Sequence, residues 1–208
     1  SHVSWITGEI APAELAEVPV PVILDGAQGA GAVAVDVQAL NCAAYAAAGQ
    51  KWLCGADGTG MLYVQPEFGE RVRTIAPGYP AFEDTTKGLD SPLRTTARRF
   101  DGQISREGVA FSLAALEVLE REGLPAVIER AADLADRFAA ALADAGHTVA
   151  PRGRSTLVAF EYPEPEAARK RLAEAGVALR DLPGHPYLRA SVGAWNDESD
   201  LERLLAAL

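Results

Sequence analysis

This chain has few lysines, and it has no apolar run long enough to cross a membrane. Each of these shortages excludes a class of partner. Only three of the 19 basic residues are lysines, and the 208 residues carry a formal net charge of −10 at pH 7. The chain therefore lacks the concentrated basic surface by which proteins bind nucleic acids or anionic membranes. No apolar run approaches the roughly 18 residues that a membrane-spanning helix needs. We expect neither nucleic acid nor membrane as a partner.

Cysteine and histidine are also scarce, with two and three residues respectively. Cys42 and Cys54 have neither CxxC spacing nor a histidine cluster nearby, so the sequence predicts no metal site. The first ten residues, SHVSWITGEI, contain no basic segment followed by a signal-like apolar core. We expect a cytoplasmic protein whose thiols stay reduced.

Residues 20–64 contain the side chains best suited to chemistry. A short apolar run ends at Asp25 and Gly26, as expected for a buried strand with a carboxylate at its C-terminal edge. A second apolar run, residues 42–48, ends shortly before Lys51. Because ligands of open α/β sheets bind at the carboxyl edge, the two strands can bring an acid and an amine to one place.

Asp25 and Lys51 allow two interpretations. They can form an ordinary ion pair, which is the more common arrangement for an acid and an amine at one edge. Alternatively, Lys51 performs chemistry that needs an amine. The scarcity of lysine favours the second interpretation, because this chain uses arginine for most of its cations. A lysine between small and apolar neighbours, here Gly49 and Trp52, can be partly desolvated and condense with a carbonyl to form a Schiff base.

Three features of this segment resemble one known family. They are the motif DGAQ at residues 25–28, a lysine 23 positions after its glutamine, and the tail GTGMLYV at residues 58–64. They are similar to the cofactor segment of the class V aminotransferase and cysteine desulfurase family, including its isopenicillin N epimerase-like branch. Members of this family are fold-type I enzymes that depend on pyridoxal 5′-phosphate.

The resemblance implies a role for each polar residue of the segment. Lys51 would be the catalytic residue and would hold the cofactor as a Schiff base. Asp25 would pair with the protonated pyridine nitrogen, which deepens the electron sink of the cofactor. Gln28 would form a hydrogen bond with the phenolic oxygen. Gln50, which replaces the usual histidine before the lysine, completes the expected cofactor-binding set.

Arg189, in the predicted strand YLRAS, is the expected substrate-binding residue. A solvated arginine at a sheet edge is an alternative interpretation of this position. The resemblance implies instead that Arg189 grips the α-carboxylate of the substrate, a task that suits the planar guanidinium because it can donate two parallel hydrogen bonds. The expected substrate is a small amino acid or 2-oxo acid, and the resemblance also implies a homodimer.

The chain departs from the family at several positions. The loop at residues 181–186 contains no cysteine, whereas cysteine desulfurases carry their nucleophilic cysteine there. Gly102-Gln103 replaces a Gly-Thr pair that binds the phosphate in a neighbouring subunit, and Trp5 stands where desulfurases tend to have asparagine. The resemblance covers only the C-terminal part of a family member, without the main phosphate loop and the ring-stacking residue.

The expected fold class is α/β, with part of a fold-type I large domain at residues 1–122 and a small C-terminal α/β domain at residues 123–208. We expect a mixed, mostly parallel sheet in the first domain. Two helices, residues 105–122 and 125–146, are predicted to bury their apolar stripes in the core. A mostly antiparallel sheet is predicted in the second domain, with strands at residues 148–149, 157–162, 177–179 and 187–192.

The expected activity is that of a class V aminotransferase acting through a Lys51 Schiff base, because the desulfurase cysteine is absent. Two other outcomes of the same cofactor chemistry stay open, namely cysteine desulfurase-like C–S lysis and epimerisation. A non-catalytic module that retains the fold is a further alternative, since several phosphate contacts differ from those of the family.

Overall fold

A computed structural model describes residues 1–102 and 105–208, and two three-stranded sheets organise them. The first sheet consists of β1 (Ile23–Asp25), β2 (Ala44–Ala48) and β3 (Gly60–Val64), in that order. β1 and β2 are parallel, whereas β2 and β3 are antiparallel. The sheet is mixed, as expected, but parallel pairings are not in the majority among these three strands.

Helices follow the first sheet. A short helix, α1 (Pro66–Arg71), follows β3 in the chain, and 3-10 turns occupy parts of residues 79–100. α2 (Arg106–Glu122) begins where Ser105 Oγ accepts a hydrogen bond of 2.8 Å from the backbone N–H of Gly108. Gly123, at φ 82°, ends α2 and precedes α3 (Leu124–Asp144). A positive φ favours glycine, which explains why the sequence marks this boundary so clearly.

The apolar stripe of α3 lies in the core, but that of α2 does not. In α3, Leu134, Phe138 and Leu142 are completely buried. In α2, by contrast, Val109 is 42% exposed and Leu113 is 56% exposed. The prediction that both stripes are buried is therefore wrong for most of α2. Helical periodicity identifies an apolar face but gives no information about whether another element covers it.

The second sheet is antiparallel and has the order β4-β6-β5. Its strands are β4 (Leu157–Glu161), β5 (Arg180–Asp181) and β6 (Tyr187–Ser191). α3, α4 (Pro165–Glu174) and α5 (Glu198–Ala207) pack around it. Of the predicted short strands, residues 148–149 contribute one isolated bridge, Val149 to Phe160, and the strand expected at 177–179 forms instead at β5.

Specific contacts join the start of the chain to the segment just before β4. Ser155 Oγ donates to the carbonyl of Gly8 at 2.7 Å, and the backbone N–H of Gly153 donates to the same carbonyl at 3.1 Å. Arg152 donates from Nε to the carbonyl of Leu157 at 3.1 Å and forms an ion pair with Asp136. The Gly8 contacts hold the start of the chain against this segment, and the Arg152 contacts link the segment to β4 and α3. The division at residues 122 and 123 stays a prediction.

Two further observations concern the sequence predictions. Gln103, half of the Gly102-Gln103 pair that stands in the position of a phosphate-binding motif, lies outside the described residues. Within residues 1–102 and 105–208, no helix combines the length and the apolar character needed to cross a membrane.

Candidate active site

The carboxyl ends of β1 and β2 form the edge on which the candidate site is built. The parallel register places Asp25 opposite Ala46, so Asp25 lies at the end of β1. β2 ends at Ala48, and the following turn brings Lys51 to the same edge. The turn closes through a hydrogen bond of 3.0 Å from the backbone N–H of Cys54 to the carbonyl of Lys51.

A cavity of about 340 Å³ at this edge is lined by Asp25, Gln28, Lys51 and Arg189. Its volume lies within the range of small-molecule sites. Four of the five side chains predicted from the sequence therefore surround one space, although Arg189 comes from the second sheet. Gln50 is the exception, since it is exposed to solvent and is not among the residues that line this cavity.

Lys51 is solvent-exposed rather than desolvated, which differs from the expectation based on its apolar neighbours. Although Asp25 lines the same cavity, the ion pairs among residues 1–102 and 105–208 include none between these two side chains. Asp25 and Lys51 therefore do not form the simple ion pair that was one interpretation of the sequence. The Lys51 amine is accessible to a ligand in the cavity.

Asp25 and Gln28 each direct one polar atom toward a protein partner and leave another available. Asp25 Oδ1 accepts from the backbone N–H of Ala27 at 2.8 Å, while Oδ2 has only a long contact of 3.5 Å with Ser1 Oγ. Gln28 Oε1 accepts from Trp52 Nε1 at 2.9 Å. Within the described part of the chain, Gln28 Nε2 has no hydrogen-bond partner. The cavity thus offers a carboxylate oxygen and an amide N–H to a ligand.

Arg189 reaches the cavity from the centre of β6. One of its terminal nitrogens donates to the backbone carbonyl of Trp5, whereas its Nε is buried and has no partner in the described residues. Burial lowers the pKa of Arg189, and the charge of Arg180 lowers it further. Arg180 lies opposite Arg189 in the antiparallel register and also lines the cavity. Two neighbouring guanidinium groups make this wall suitable for an anion.

Sequence reasoning missed His2, Tyr45, Trp52 and Arg180. His2 Nδ1 and Tyr45 Oη lie 2.9 Å apart directly behind the DGAQ turn, and His2 is only 4% exposed. Burial lowers the pKa of His2 and raises the pKa of Tyr45 to about 12. A Cβ atom on Gly26 would lie 2.0 Å from the Tyr45 ring. Adjacency to Lys51 was the one sequence signal that pointed to Trp52.

The loop between β5 and β6 contains no cysteine, as its sequence shows. The two cysteines are elsewhere: Cys42 is buried and Cys54 is exposed, and both are free thiols. Burial raises the pKa of Cys42, so a smaller fraction of this residue is in the thiolate form at neutral pH. No thiol is therefore supplied by the segment in which cysteine desulfurases carry their nucleophile.

Comparison with known proteins identifies a family and two close groups of relatives. The family model described as Aminotransferase class-V matches residues 1–204. The isopenicillin N epimerase of Streptomyces clavuligerus is 30% identical over 245 residues, covering 100% of this chain and 58% of that protein. A probable cysteine desulfurase of Halalkalibacterium halodurans is 30% identical over 230 residues, covering 100% of this chain and 56% of that protein.

A solved structure confirms the fold class. The cystine C–S lyase C-DES, in complex with its reaction product cysteine persulfide, has a TM-score of 0.90 and 27% identity, covering 99% of this chain and 58% of that one. Another C-DES structure carries glycine covalently linked to its pyridoxal phosphate cofactor. The fold is therefore part of a fold-type I α/β enzyme, and this chain spans a little over half the length of the relatives that it matches.

Proposed function

Because this chain belongs to the class-V aminotransferase family, whose members are pyridoxal 5′-phosphate enzymes, we propose that the protein binds pyridoxal 5′-phosphate and acts on an α-amino acid. The observation that carries the proposal is the cavity shared by Asp25, Gln28, Lys51 and Arg189. An accessible amine, a carboxylate oxygen, an amide N–H and a buried, unpartnered guanidinium N–H suit this cofactor together with an amino acid substrate.

Each side chain has a separate task in this proposal. Lys51 would hold the cofactor through its amine and would move a proton at the substrate's α-carbon. Asp25 would keep a proton on the pyridine nitrogen, and Gln28 would donate its amide N–H to the ring oxygen. Arg189 holds the α-carboxylate of the substrate. When bound, the cofactor withdraws electrons from the bonds at that carbon.

We favour cleavage of a C–S bond as the reaction, with transamination as the second candidate. The similarity to a C–S lyase and to a cysteine desulfurase supports lysis. The cysteine-free loop at residues 181–186 leads us to expect that sulfur leaves as a free thiol or persulfide. Overall, an S-substituted cysteine and one water would give pyruvate, ammonium and the released thiol. The same missing cysteine is the reason that transamination stays a candidate.

The proposal also extends to the setting of the protein. We expect a homodimer in the cytoplasm, with a small amino acid or 2-oxo acid as substrate. A sedimentation experiment on the full-length protein at several concentrations tests the dimer. Epimerisation is a third candidate reaction for the same site, because the isopenicillin N epimerase of Streptomyces clavuligerus is among the relatives of this chain.

Visible absorption spectroscopy of the full-length protein tests the proposal. After loading with pyridoxal phosphate and removal of the unbound cofactor, wild type should show a band near 400 nm that Lys51→Ala lacks. Lys87→Ala is the matched control, because Lys87 is an exposed lysine paired with Asp84 at 3.5 Å, and it should behave as wild type. Identical flat spectra for wild type and Lys51→Ala would contradict the proposal and favour a non-catalytic module.

The products of the loaded protein separate the reactions. Lysis of cysteine derivatives yields pyruvate, ammonium and a thiol without any 2-oxo acid acceptor. Transamination requires an acceptor and releases no ammonium. Epimerisation changes the optical rotation of the amino acid and yields no oxo acid. Turnover that requires a 2-oxo acid would overturn the preference for lysis.

A further inference from the structure

Trp52 follows Lys51 in the chain and is placed behind Gln28. Its side chain is only 8% exposed. Its indole Nε1 lies 2.9 Å from Gln28 Oε1, which is a normal hydrogen-bond distance. The indole of Trp52 therefore contacts Gln28, one of the residues proposed to bind the cofactor.

The chemistry of the indole decides which end of the Gln28 amide faces it. Indole N–H is a donor and has no acceptor atom, whereas a glutamine amide has a carbonyl oxygen at one end and an NH2 group at the other. Only the oxygen of Gln28 can accept from Trp52. The NH2 group consequently points away from the indole and stays available at the cavity that Gln28 lines.

We propose that Trp52 is a positioning residue, whose indole N–H holds the Gln28 amide with its NH2 group directed to the cofactor's ring oxygen. This inference rests on the proposed binding of pyridoxal phosphate. Without the indole, the Gln28 amide could rotate by half a turn and present its carbonyl oxygen, instead of its NH2 group, to the ring oxygen of the cofactor. Two acceptors facing each other form no hydrogen bond, so the donor would be lost part of the time.

Trp52 is itself fixed by groups from distant parts of the chain. Its ring is stacked on that of Trp195, with 6.1 Å between centroids and 25° between planes. Arg130, on α3, donates to the carbonyl of Ala194 at 2.8 Å and so holds the segment that carries Trp195. On the other side, a Cβ atom at Gly31 would lie 2.9 Å from the Trp52 carbonyl oxygen. The contact at Gly31 holds the backbone of Trp52, and the stacking on Trp195 restrains its indole ring.

Trp52→Phe in the full-length, cofactor-loaded protein is the test. A hydrogen bond donated to an anionic oxygen stabilises the anion, so its loss should raise the pH midpoint at which the 400-nm band titrates. We expect a rise of up to about one pH unit, and weaker cofactor binding in a spectroscopic titration. Trp195→Phe is the matched control, since it keeps an aromatic ring in the stack and leaves the indole N–H of Trp52 in place.

Gln28→Leu distinguishes a positioning role from a merely structural one. If Trp52 acts through Gln28, then Gln28→Leu should raise the midpoint at least as much as Trp52→Phe, and adding Trp52→Phe to it should cause no further rise. Independent, additive shifts would overturn the inference. Equal shifts in Trp52→Phe and Trp195→Phe would also overturn it, because stacking rather than the hydrogen bond would then be responsible.

A measurement on the apoprotein keeps the test decisive if Trp52→Phe fails to fold. The indole ¹H–¹⁵N resonance of Trp52 should move upfield, and its proton should exchange faster with water, when Gln28→Leu removes the acceptor. An unchanged resonance would contradict the inference. If wild type forms no Lys51-dependent band, the proposed cofactor binding fails, whereas a normal band with an unshifted midpoint in Trp52→Phe refutes only the role of Trp52.

Discussion

At the scale of single residues, the most informative pair is His2 and Tyr45, which supports the turn that carries Asp25. The backbone N–H of His2 donates to the carbonyl of Asp25 at 2.8 Å. The Nδ1 atom of the same residue lies 2.9 Å from Tyr45 Oη. Because burial lowers the pKa of His2 and raises that of Tyr45 to about 12, both rings are neutral at pH 7. A tyrosine hydroxyl donating to a neutral imidazole suits this arrangement.

His2→Gln should flatten the acid limb of the stability curve. The unfolded chain takes up a proton at His2 near the ordinary pKa of 6.5, whereas burial lowers the pKa in the folded protein. Stability is therefore lost as the pH falls through 6.5 toward the lower folded value, with a slope of at most about 1.4 kcal/mol per pH unit. Denaturant unfolding between pH 7.5 and 5 measures this slope.

His185→Gln is the control for this experiment, because His185 is exposed in the loop between β5 and β6. It should leave the slope as it is in wild type. If His2→Gln retains the full wild-type slope, the burial of a neutral His2 is not what makes the protein sensitive to acid.

At the scale of elements, α5 shows how a helix end is specified locally. Asp197 Oδ1 accepts from the backbone N–H of Ser199 at 2.9 Å and of Asp200 at 3.3 Å. In return, Asp200 Oδ2 accepts from the backbone N–H of Asp197 at 3.3 Å. Reciprocal bonds of this kind satisfy backbone donors that have no partner within the helix.

Asp197→Ala should lower the melting temperature, because the first turn of α5 loses its acceptor. Asp197→Asn should retain most of the stability at pH 7 since its side-chain oxygen can still accept. Hydrogen bonds, chiefly from the Ser199 side chain, lower the pKa of Asp197 below 3.8. Its charged cap is therefore present above that value and lost as the pH falls through the lowered pKa, so the Asn variant should lose less stability in acid.

Thermal unfolding at pH 7 and in acid checks both variants. Glu202→Ala is the comparison, because Glu202 is an exposed residue of the same helix. Melting temperatures of Asp197→Ala and Glu202→Ala that agree at pH 7 would contradict the capping role.

The elements also show what the sequence could predict. The C-terminal ends of β1 and β2 and both ends of α2 and α3 were located closely, because apolar runs and Gly123 are local signals. The meeting of Arg189 with Asp25 and Lys51 depended on the family resemblance, since no local pattern brings β6 to the edge of the first sheet. The burial of Trp52 and the pairing of His2 with Tyr45 depend on packing between distant segments, and periodicity does not report such packing.

At the scale of the whole molecule, the distribution of apolar side chains is uneven. The core around the second sheet contains completely buried residues such as Phe138, Phe160 and Leu188. Between β3 and α2, by contrast, lies an open groove lined by Met61, Val109, Leu113 and Leu116, which we term the α2–β3 groove. Met61 is 47% exposed there, and Leu113 is 56% exposed. Exposed apolar surface of this kind binds apolar molecules readily.

Charged substitutions in the α2–β3 groove should reduce binding of a hydrophobic dye to the 208-residue chain. Val109→Lys with Leu113→Lys places two charges where the dye would contact apolar carbon, so the dye fluorescence per mole of protein should fall. Ala110→Lys with Ala114→Lys introduces the same two lysines at exposed positions of α2 outside the groove, and it should retain the wild-type signal. Circular dichroism of both variants checks that α2 stays helical. Undiminished fluorescence in the groove variant would show that the dye binds elsewhere, and equal losses in both variants would assign the effect to net charge rather than to the groove.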